Sequence, residues 1–376
     1  MIQMLPFIDL ATQRLRLKDK IDAAVAEVLE SGAFILGPQV TELEKRLAAF
    51  SEAPHALACA NGTDALLLPL MAWEIGTGDA VFVPSFTFAS TAEVVRLRGA
   101  TPVFVDIDPV TYTMDVDHLS ACIKRVSQDA SLTARAVIAV DLFGQPADYP
   151  AIAALCTEHD LKLVADSAQG FGCTLEGHHP IHWADVATIS FYPAKPLGCY
   201  GDGGAIIVKD ADLLAIMRSL HVHGAGEDRY AYDRIGLNSR LDTIQAAILL
   251  VKLDVFAEEI RLRNEAADRY AAGFGDVVKP HAVIAGGVST WAQYTIEVDD
   301  RDGFRAAMAE QGVPTAIYYP RPLHSQPAYI DPRVNPNGLP VTDAAARRVV
   351  SLPMDADLGG ERQDSVIAAV RKALGG

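Results

Sequence analysis

The chain has 376 residues, of which half are hydrophobic and 21% are charged, a composition that excludes a disordered chain and a small disulfide-stapled protein. Its 32 Lys and Arg residues against 48 Asp and Glu residues give a net charge of −16, which makes nucleic acids and anionic membranes unfavourable partners. The five cysteines are scattered without a CxxC pair, so neither a disulfide framework nor a zinc site is predicted from them.

The amino terminus lacks the basic start and unbroken apolar centre of a signal peptide, so we expect a cytoplasmic location. No stretch approaches the roughly 18 apolar residues that would span a bilayer, and a soluble protein is therefore expected. Apolar residues recur at helical spacing over residues 21–29 and again over residues 40–47. The chain is predicted to open with helices.

Short β-rich segments separated by helix-length stretches follow, and they predict a mostly parallel α/β sheet. Ligands of such sheets bind beyond the carboxyl ends of the strands, so the residues that follow each segment are candidates for a site. Six segments show this pattern: 80–84, 101–105, 137–140, 161–165, 186–191 and 205–208.

The pattern changes at about residue 243 to one long helical stretch that reaches residue 270 and that we expect to link two domains. Beyond it the sequence predicts a strand, a helix, a proline-rich ordered loop and a terminal helix. We therefore predict a large α/β domain over residues 1–250 and a smaller α+β domain over residues 251–376.

The segment from Asn61 to Leu66 follows an apolar run and is typical of a strand, a tight turn at Gly62 and the start of a helix. Backbone N–H groups at such a helix start, together with the Thr63 hydroxyl, are suited to binding a phosphate group. A simple helix cap is the alternative interpretation. Asp64 suits the helix dipole but would repel a phosphate.

Asp166 and Gln169 follow directly after a strand segment that has the composition of a buried strand. A carboxylate in that position needs a partner, because burying an unpaired charge costs free energy. The chemical interpretation is that Asp166 pairs with a cationic ring nitrogen while Gln169 donates a hydrogen bond to a ring substituent. A second helix cap is the alternative.

Lys195 follows another strand segment, among prolines, glycines and apolar residues. Most lysines are merely solvated, but desolvation lowers the pKa of a lysine and makes its amine nucleophilic toward carbonyl groups. A phosphate turn, an aspartate and a lysine, in that chain order, match the needs of pyridoxal 5′-phosphate (PLP). This cofactor requires a phosphate cradle, an anion opposite its pyridine nitrogen and an amine for its aldehyde.

In these motifs the sequence resembles the DegT-type (DegT/StrS) sugar aminotransferases, a family within the aspartate-aminotransferase-like fold. The resemblance extends from FIDL near the start to LPVTDAAARRVVSLPM near the end. It implies an α/β protein of PLP fold type I, in which the large domain holds a mostly parallel seven-stranded sheet and the C-terminal domain is a smaller α+β unit.

The resemblance also implies roles for individual residues. Lys195 matches the lysine that links the cofactor and Asp166 the partner of the pyridine nitrogen, so both are predicted to be catalytic. Phe86, in PSFTFAST, matches the residue that stacks on the cofactor ring, with core filling as the alternative. Asn238 matches a phosphate contact that reaches across from a neighbouring subunit. The predicted cofactor-binding residues are Gly62, Thr63, Phe86, Asp166, Gln169, Ser190, Lys195 and Asn238.

Four residues are predicted by the same resemblance to bind the substrate: Arg240, Tyr318, Tyr319 and His324. Many relatives carry histidine where this chain has Tyr318, which leaves the contact with the amino donor open. The histidines show no spacing typical of a metal site, so no metal is predicted.

The implied activity is transfer of the amino group of L-glutamate to the 3-keto group of a nucleotide-linked sugar for O-antigen, that is lipopolysaccharide, biosynthesis. UDP-2-acetamido-2-deoxy-3-oxo-D-glucuronate is the first candidate, and a dTDP-3-oxo-6-deoxyhexose or a C4-keto sugar is the alternative substrate. A homodimer with shared active sites is expected. Related sugar dehydratases carry histidine in place of the lysine, so the presence of Lys195 disfavours a dehydratase. A non-catalytic regulator with the same fold is the alternative from another functional class.

Overall fold

The described part of the chain opens with helices, as predicted, and it has one more helix before the first strand than the two predicted stretches. The computed structural model describes residues 4–129, 131–228, 230–278, 280–330 and 338–375. The opening helices are α1 (Leu10–Arg16), α2 (Lys18–Ser31) and α3 (Pro38–Phe50). Asp9 caps α1 by accepting a hydrogen bond from the backbone N–H of Thr12, one of the donors that a helix start leaves without a partner.

A seven-stranded sheet forms the centre of the next part of the chain. The strands, in chain order, are β1 (His55–Cys59), β2 (Asp79–Pro84), β3 (Thr101–Val105), β4 (Thr133–Val140), β5 (Lys162–Asp166), β6 (Thr174–Leu175), β7 (Val186–Ser190) and β8 (Gly204–Val208). The spatial order is β1-β8-β7-β5-β4-β2-β3, with β6 outside the sheet. β8 runs antiparallel to both of its neighbours and the other pairs are parallel, so the predicted mostly parallel seven-stranded sheet is confirmed.

Helices cover both faces of this sheet, because successive residues of each strand point to opposite faces. Phe82 and Leu163 pack on one face, in a core with α3, while their neighbours Val81 and Val164 pack on the other. The covering helices are α4 (Gly62–Ala72), α5 (Ser90–Leu97), α6 (Val116–Ser127), α7 (Tyr149–Glu158) and α8 (Ala211–Leu220).

A single helix, α9 (Thr243–Phe274), connects the sheet to the C-terminal part of the chain. Its 32 residues span about 48 Å at 1.5 Å per residue. It ends at Phe274, four residues later than predicted, and its C-cap is Gly275, whose φ of 56° is a conformation that glycine adopts readily. None of the described helices has both the length and the apolar composition needed to cross a membrane.

The C-terminal part has its own apolar core, in which Tyr270 of α9 packs with Tyr294, Phe304, Val350 and Val366. The elements beyond α9 are β9 (Gly287–Val288), β10 (Tyr294–Glu297), α10 (Arg301–Glu310), α11 (Pro340–Arg348), β11 (Val349–Leu352) and α12 (Glu361–Ala373), and β10 pairs with β11. Because α9 runs without a break across residue 250, the domain boundary at that residue stays a prediction.

Asp106, directly after β3, ties the C-terminal part to the edge of the sheet. Its carboxylate is buried and accepts hydrogen bonds from the N–H groups of Val341 (3.1 Å) and Thr342 (2.8 Å) and from the Thr342 hydroxyl (2.7 Å). These N–H groups belong to the first turn of α11, where a helix leaves its donors unpaired and favours negative charge. Asp106 is therefore a cap for α11 that comes from elsewhere in the chain.

We predict that Asp106→Ala lowers the free energy of unfolding by about 2 kcal/mol, because the cap is lost and two buried donors lose their acceptor. Urea unfolding followed by circular dichroism measures this. Asp302→Ala is the matched control, since Asp302 is an exposed acid in the first turn of α10 whose loss costs about 0.5 kcal/mol. Equal losses in the two variants would contradict the assignment.

Candidate active site

The candidate site lies where the carboxyl ends of β5 and β7 meet. Asp166 is the last residue of β5, and it is paired in register with Val140 of β4 and Thr188 of β7. Ser190 is the last residue of β7 and pairs with Gly204 at the start of β8. The predicted catalytic acid and one of the predicted phosphate contacts therefore emerge at the same edge of the sheet.

The turn before α4 packs against Ser190. A Cβ atom at Gly62 would lie 2.7 Å from Ser190 Cβ, so no side chain fits there. Asn61 Oδ1 accepts the N–H of Asp64 at 2.8 Å and caps the helix. The backbone N–H groups of Gly62 and Thr63 donate no hydrogen bond within the described part of the chain. The helix start and Ser190 thus form a cradle suited to a phosphate group.

Asp166 is a buried carboxylate whose oxygens have two hydrogen-bond donors, the Thr91 hydroxyl and the Ala168 N–H, both at 3.2 Å. Burial raises its pKa, whereas the hydrogen bond from Ala168, the positive charge of Lys195 and the hydrogen bond from Thr91 act in the opposite direction. A cationic ring nitrogen placed at this edge would stabilise the ionised Asp166 carboxylate in the same way as the positive charge of Lys195 does.

Lys195 is half-buried in the loop that follows β7, where its N–H donates to the Tyr192 carbonyl at 2.8 Å. Burial lowers the pKa of its amine below the ordinary lysine value, and the Asp166 carboxylate offsets part of this shift. The structure therefore brings Lys195 and Asp166 into one electrostatic environment. A lysine of this kind is neutral, and hence nucleophilic, more often than a solvated lysine at the same pH.

Gln169 and Tyr319 are joined by a hydrogen bond at the same edge. Gln169 Oε1 accepts the N–H of Phe143 at 2.9 Å, and Gln169 Nε2 donates to Tyr319 Oη at 3.0 Å. Burial raises the pKa of the Tyr319 phenol, and the negative charge of Asp166 adds to that shift. Tyr319, which was predicted to bind the substrate, thus lies against two of the residues predicted to hold the cofactor.

Phe86 is only 1% exposed and is enclosed by the rings of Tyr112, Phe143 and Tyr319, each with its centroid 6.3 Å away. This burial contradicts stacking on a cofactor ring, because no face of Phe86 is open, and it supports the core-filling alternative. Phe88, two positions later, is 57% exposed, and its ring lies 6.4 Å from that of Tyr319. We propose Phe88 as the stacking residue, which the sequence reasoning missed.

The segment 238–240 lies beside the turn at Gly62 that precedes α4, here called the phosphate-type turn. Ser239 is buried, and its hydroxyl accepts the N–H of Ala60 at 3.3 Å, one residue before the turn begins. Asn238 is exposed, and its Oδ1 accepts a hydrogen bond from Nη2 of the half-buried Arg240 at 2.5 Å. The roles predicted for these two side chains, in a neighbouring site and on the substrate, stay predictions.

Both ring nitrogens of His324 are engaged within the chain. Nδ1 lies 2.7 Å from the Ser85 hydroxyl, and Nε2 lies 3.4 Å from the Asp343 carboxylate. His324 therefore joins its loop to the PSFTF segment, and its predicted contact with the substrate stays a prediction. Tyr318 is half-buried, with its ring 6.3 Å from that of Phe7, and its substrate contact stays a prediction.

A second buried acid, Asp141, was missed by the sequence reasoning. It follows β4 and accepts hydrogen bonds from the hydroxyls of Ser167 (2.5 Å) and Tyr149 (2.6 Å) and from the N–H of Ala147 (3.3 Å). Burial raises its pKa to about 7, and the charge of Asp166 contributes to the shift. The signal was present, because Asp141 follows a strand just as Asp166 does.

Comparison with known proteins identifies the family. Residues 16–371 match the sequence profile of the DegT/DnrJ/EryC1/StrS aminotransferase family. The chain belongs to this family. A relative from Pseudomonas aeruginosa named UDP-2-acetamido-2-deoxy-3-oxo-D-glucuronate aminotransferase is 47% identical over 352 residues, which are 93% of this chain and 95% of the relative.

Solved structures agree with this membership. The crystal structure of a DegT DnrJ EryC1 StrS aminotransferase from Brucella abortus is 48% identical, with a TM-score of 0.97 that covers 99% of this chain and 100% of that one. NtdA from Bacillus subtilis, solved with bound cofactor PMP, is 27% identical, with a TM-score of 0.87 that covers 100% of this chain and 86% of that one. The predicted fold type, family, transaminase activity and PLP cofactor are confirmed.

The residues of this DegT-family chain fit the cofactor. The cradle at Gly62 and Ser190 suits its phosphate, the buried Asp166 suits its ring nitrogen, and the desolvated Lys195 suits its aldehyde. The described residues hold no group of three or more His, Cys, Asp or Glu side chains placed to bind a metal ion.

Asp141 predicts a pH dependence of stability for this aminotransferase. Its carboxyl titrates near the ordinary value of 3.8 when the chain is unfolded and at about 7 when it is folded, so the folded protein binds more protons between these values. The stabilising contribution is complete below about pH 4 and is lost as the pH rises through about 7.

Asp141→Asn keeps an acceptor for Tyr149 and removes the titration. We therefore expect the thermal midpoint of the wild type to fall, relative to that of the variant, as the pH is raised from about 4 to about 7. Asp160→Asn, at an exposed carboxyl, is the control and should follow the wild type. Parallel profiles for the wild type and Asp141→Asn would refute this account.

Proposed function

We propose that this aminotransferase moves the amino group of L-glutamate onto the 3-keto group of a nucleotide-linked sugar, with UDP-2-acetamido-2-deoxy-3-oxo-D-glucuronate as the first substrate. The observation that carries the proposal is the meeting of Lys195, Asp166 and the Gly62 turn at one sheet edge. The 47% identity with the Pseudomonas aeruginosa enzyme named for this substrate supports the choice of sugar. A cytoplasmic location and a place in O-antigen biosynthesis belong to the same proposal.

When bound, PLP supplies an aldehyde that exchanges the amino group and a ring that takes up electrons. In our proposal Lys195 Nζ would hold the aldehyde until the donor arrives, and the released neutral amine would then accept and return the transferred proton. The buried carboxylate of Asp166 would keep the ring nitrogen protonated. The N–H groups of Gly62 and Thr63 and the Ser190 hydroxyl bind the phosphate.

Arg240 is the cation that we assign to the acidic substrate. The chain carries a net charge of −16, so an anionic sugar nucleotide requires a local positive group at its binding site. The guanidinium of Arg240 is oriented by Asn238 at 2.5 Å, and planar guanidinium groups bind carboxylates and phosphates through paired hydrogen bonds.

We also propose a homodimer in which this region borders the neighbouring subunit. Phe34, Ile35 and Leu36 form a continuous apolar run in which each residue is nearly half exposed. The run lies beside the Arg240 segment, since the Phe34 carbonyl accepts the N–H of Thr243 at 3.0 Å and Ile35 pairs with Asp242. A contiguous exposed apolar surface beside polar site residues is typical of a protein interface.

Lys195→Ala should lower the rate of amino transfer by about a thousandfold, because the chain loses its proton-transferring amine. Turnover with L-glutamate and the 3-oxo-glucuronate nucleotide measures this loss. Borohydride reduction of the wild type with PLP, followed by peptide mass spectrometry, should attach the cofactor to Lys195. Lys162→Ala, at an exposed lysine of β5, is the control. Full activity of Lys195→Ala would overturn the proposal.

Arg240→Ala should reduce kcat/KM for the glucuronate substrate about 30-fold, the effect of removing a charge-assisted hydrogen bond of about 2 kcal/mol. A sugar nucleotide without the carboxylate, such as a dTDP-3-oxo-6-deoxyhexose, should lose less than about threefold. Arg371→Ala, at an exposed arginine in the last turn of α12, is the control. Equal losses for the acidic and neutral sugars would remove the assignment to the carboxylate.

A further inference from the structure

The loop that carries Lys195 is closed on itself between β7 and β8. The N–H of Phe191 donates to the Gly203 carbonyl at 2.8 Å, and the N–H of Cys199 donates to the Phe191 carbonyl at 2.7 Å. A Cβ atom at Gly198 would lie 2.5 Å from the Pro193 carbonyl oxygen, so the turn that bears Lys195 folds tightly onto Gly198. Whatever fixes the backbone at Gly198 therefore also fixes the turn of Lys195.

Two side chains of α9 bind the backbone of this loop. Gln245 Oε1 accepts the N–H of Tyr200 at 2.8 Å, and Lys252 Nζ donates to the Gly198 carbonyl at 2.6 Å. The two residues are seven positions apart, about two turns at 3.6 residues per turn, so they lie on the same face of the helix. Gln245 therefore binds a backbone donor of the loop, and Lys252 binds a backbone acceptor two residues away.

Lys252 is a lysine buried between α9 and the Lys195 loop. It is 2% exposed, and its Nζ lies 4.4 Å from the centre of the Tyr200 ring. Burial lowers the pKa of its amine to about 8, while the negative charge of Glu259 acts in the opposite direction. A methionine would fill the same space without the cost of burying a charge, so packing alone does not account for this lysine.

The same face of α9 carries a third polar residue, the buried Glu259, seven positions after Lys252. Gln13 Nε2 donates to both of its carboxylate oxygens, at 2.9 and 3.0 Å, and Arg16 Nη2 donates to one of them at 2.5 Å. Gln245, Lys252 and Glu259 thus form a polar stripe, which joins the Lys195 loop at one end to α1 at the other.

We propose that Gln245 and Lys252 are positioning residues, which hold the backbone of residues 198–200 so that the Lys195 amine stays at the place of the cofactor aldehyde. This inference rests on the proposed role of Lys195. Neither side chain is assigned any contact with the cofactor or the substrate, and both act through the loop.

A double-mutant cycle separates positioning from general support of the fold. Lys252→Met keeps the length of the side chain and removes its hydrogen bond. Absorbance titration with PLP should show about tenfold weaker binding for Lys252→Met when Lys195 is present, and less than about twofold when Lys195 is alanine. Equal weakening in both backgrounds would overturn the inference, because Lys252 would then support the pocket without acting through Lys195.

Gln245 gives a second measurement that does not depend on the folding of Lys252→Met. Gln245→Leu removes the acceptor of the Tyr200 N–H and should weaken PLP binding and speed hydrogen exchange at that amide, whereas Gln245→Glu keeps an acceptor and should restore both. Lys209→Met is the control, since Lys209 donates to the His182 carbonyl outside this loop. Unchanged exchange at Tyr200 in Gln245→Leu, or equal effects of Leu and Glu, would overturn the inference.

Borohydride reduction of the wild-type protein with PLP distinguishes the two ways of failing. Attachment of the reduced cofactor to a residue other than Lys195 overturns both the proposed function and the positioning role. Attachment to Lys195 together with equal weakening in the two backgrounds of the cycle overturns the positioning role alone.

Discussion

The buried carboxylate of Asp166 is the constraint around which the site is built. A charge at the buried end of a central strand is unfavourable unless hydrogen bonds and an opposite charge stabilise it, and here Thr91, Ala168 and Lys195 do so. Each of these groups stands at the carboxyl edge of the sheet or in the segment that follows it. The parallel arrangement of the strands therefore determines the chemistry, because it gathers the acid, the amine and the anion-binding turn at one edge.

Two acids at this edge occupy neighbouring positions and have different environments. Val140 of β4 pairs with Asp166 of β5, and the N–H of the following residue, Asp141, donates to the Asp166 carbonyl at 3.0 Å. Asp141 is enclosed by the hydroxyls of Tyr149 and Ser167 and has a pKa of about 7, whereas Asp166 also experiences the charge of Lys195. Adjacent carboxyls whose surroundings differ in this way suit different roles, and Asp166 is the one that we propose to meet a cationic ligand.

The strands and the order of the chemical motifs could be predicted from the sequence because both depend on local patterns, apolar runs and the residues directly after them. Which of Phe86 and Phe88 stacks on the cofactor could not be predicted from the sequence. The two aromatic residues lie two positions apart, and only tertiary packing buries one of them. The contacts that His324 makes within the chain could not be predicted either. Its partners Ser85 and Asp343 are distant in the chain, and no local pattern reveals them.

Asn238 and Arg240, proposed for a neighbouring site and for the substrate, are residues whose surroundings a local sequence pattern does not reveal. Asn238 is exposed and Arg240 is half-buried, yet the residue between them is fully buried against the backbone before the phosphate-type turn. In the proposed dimer this anchoring would hold the side chains of Asn238 and Arg240 toward the neighbouring subunit. The apolar run from Phe34 to Leu36 beside it provides the surface that a second subunit would cover. In the proposed dimer one anchored segment therefore serves both the subunit contact and the binding of an anionic sugar nucleotide, which explains why a chain of net charge −16 keeps an arginine there.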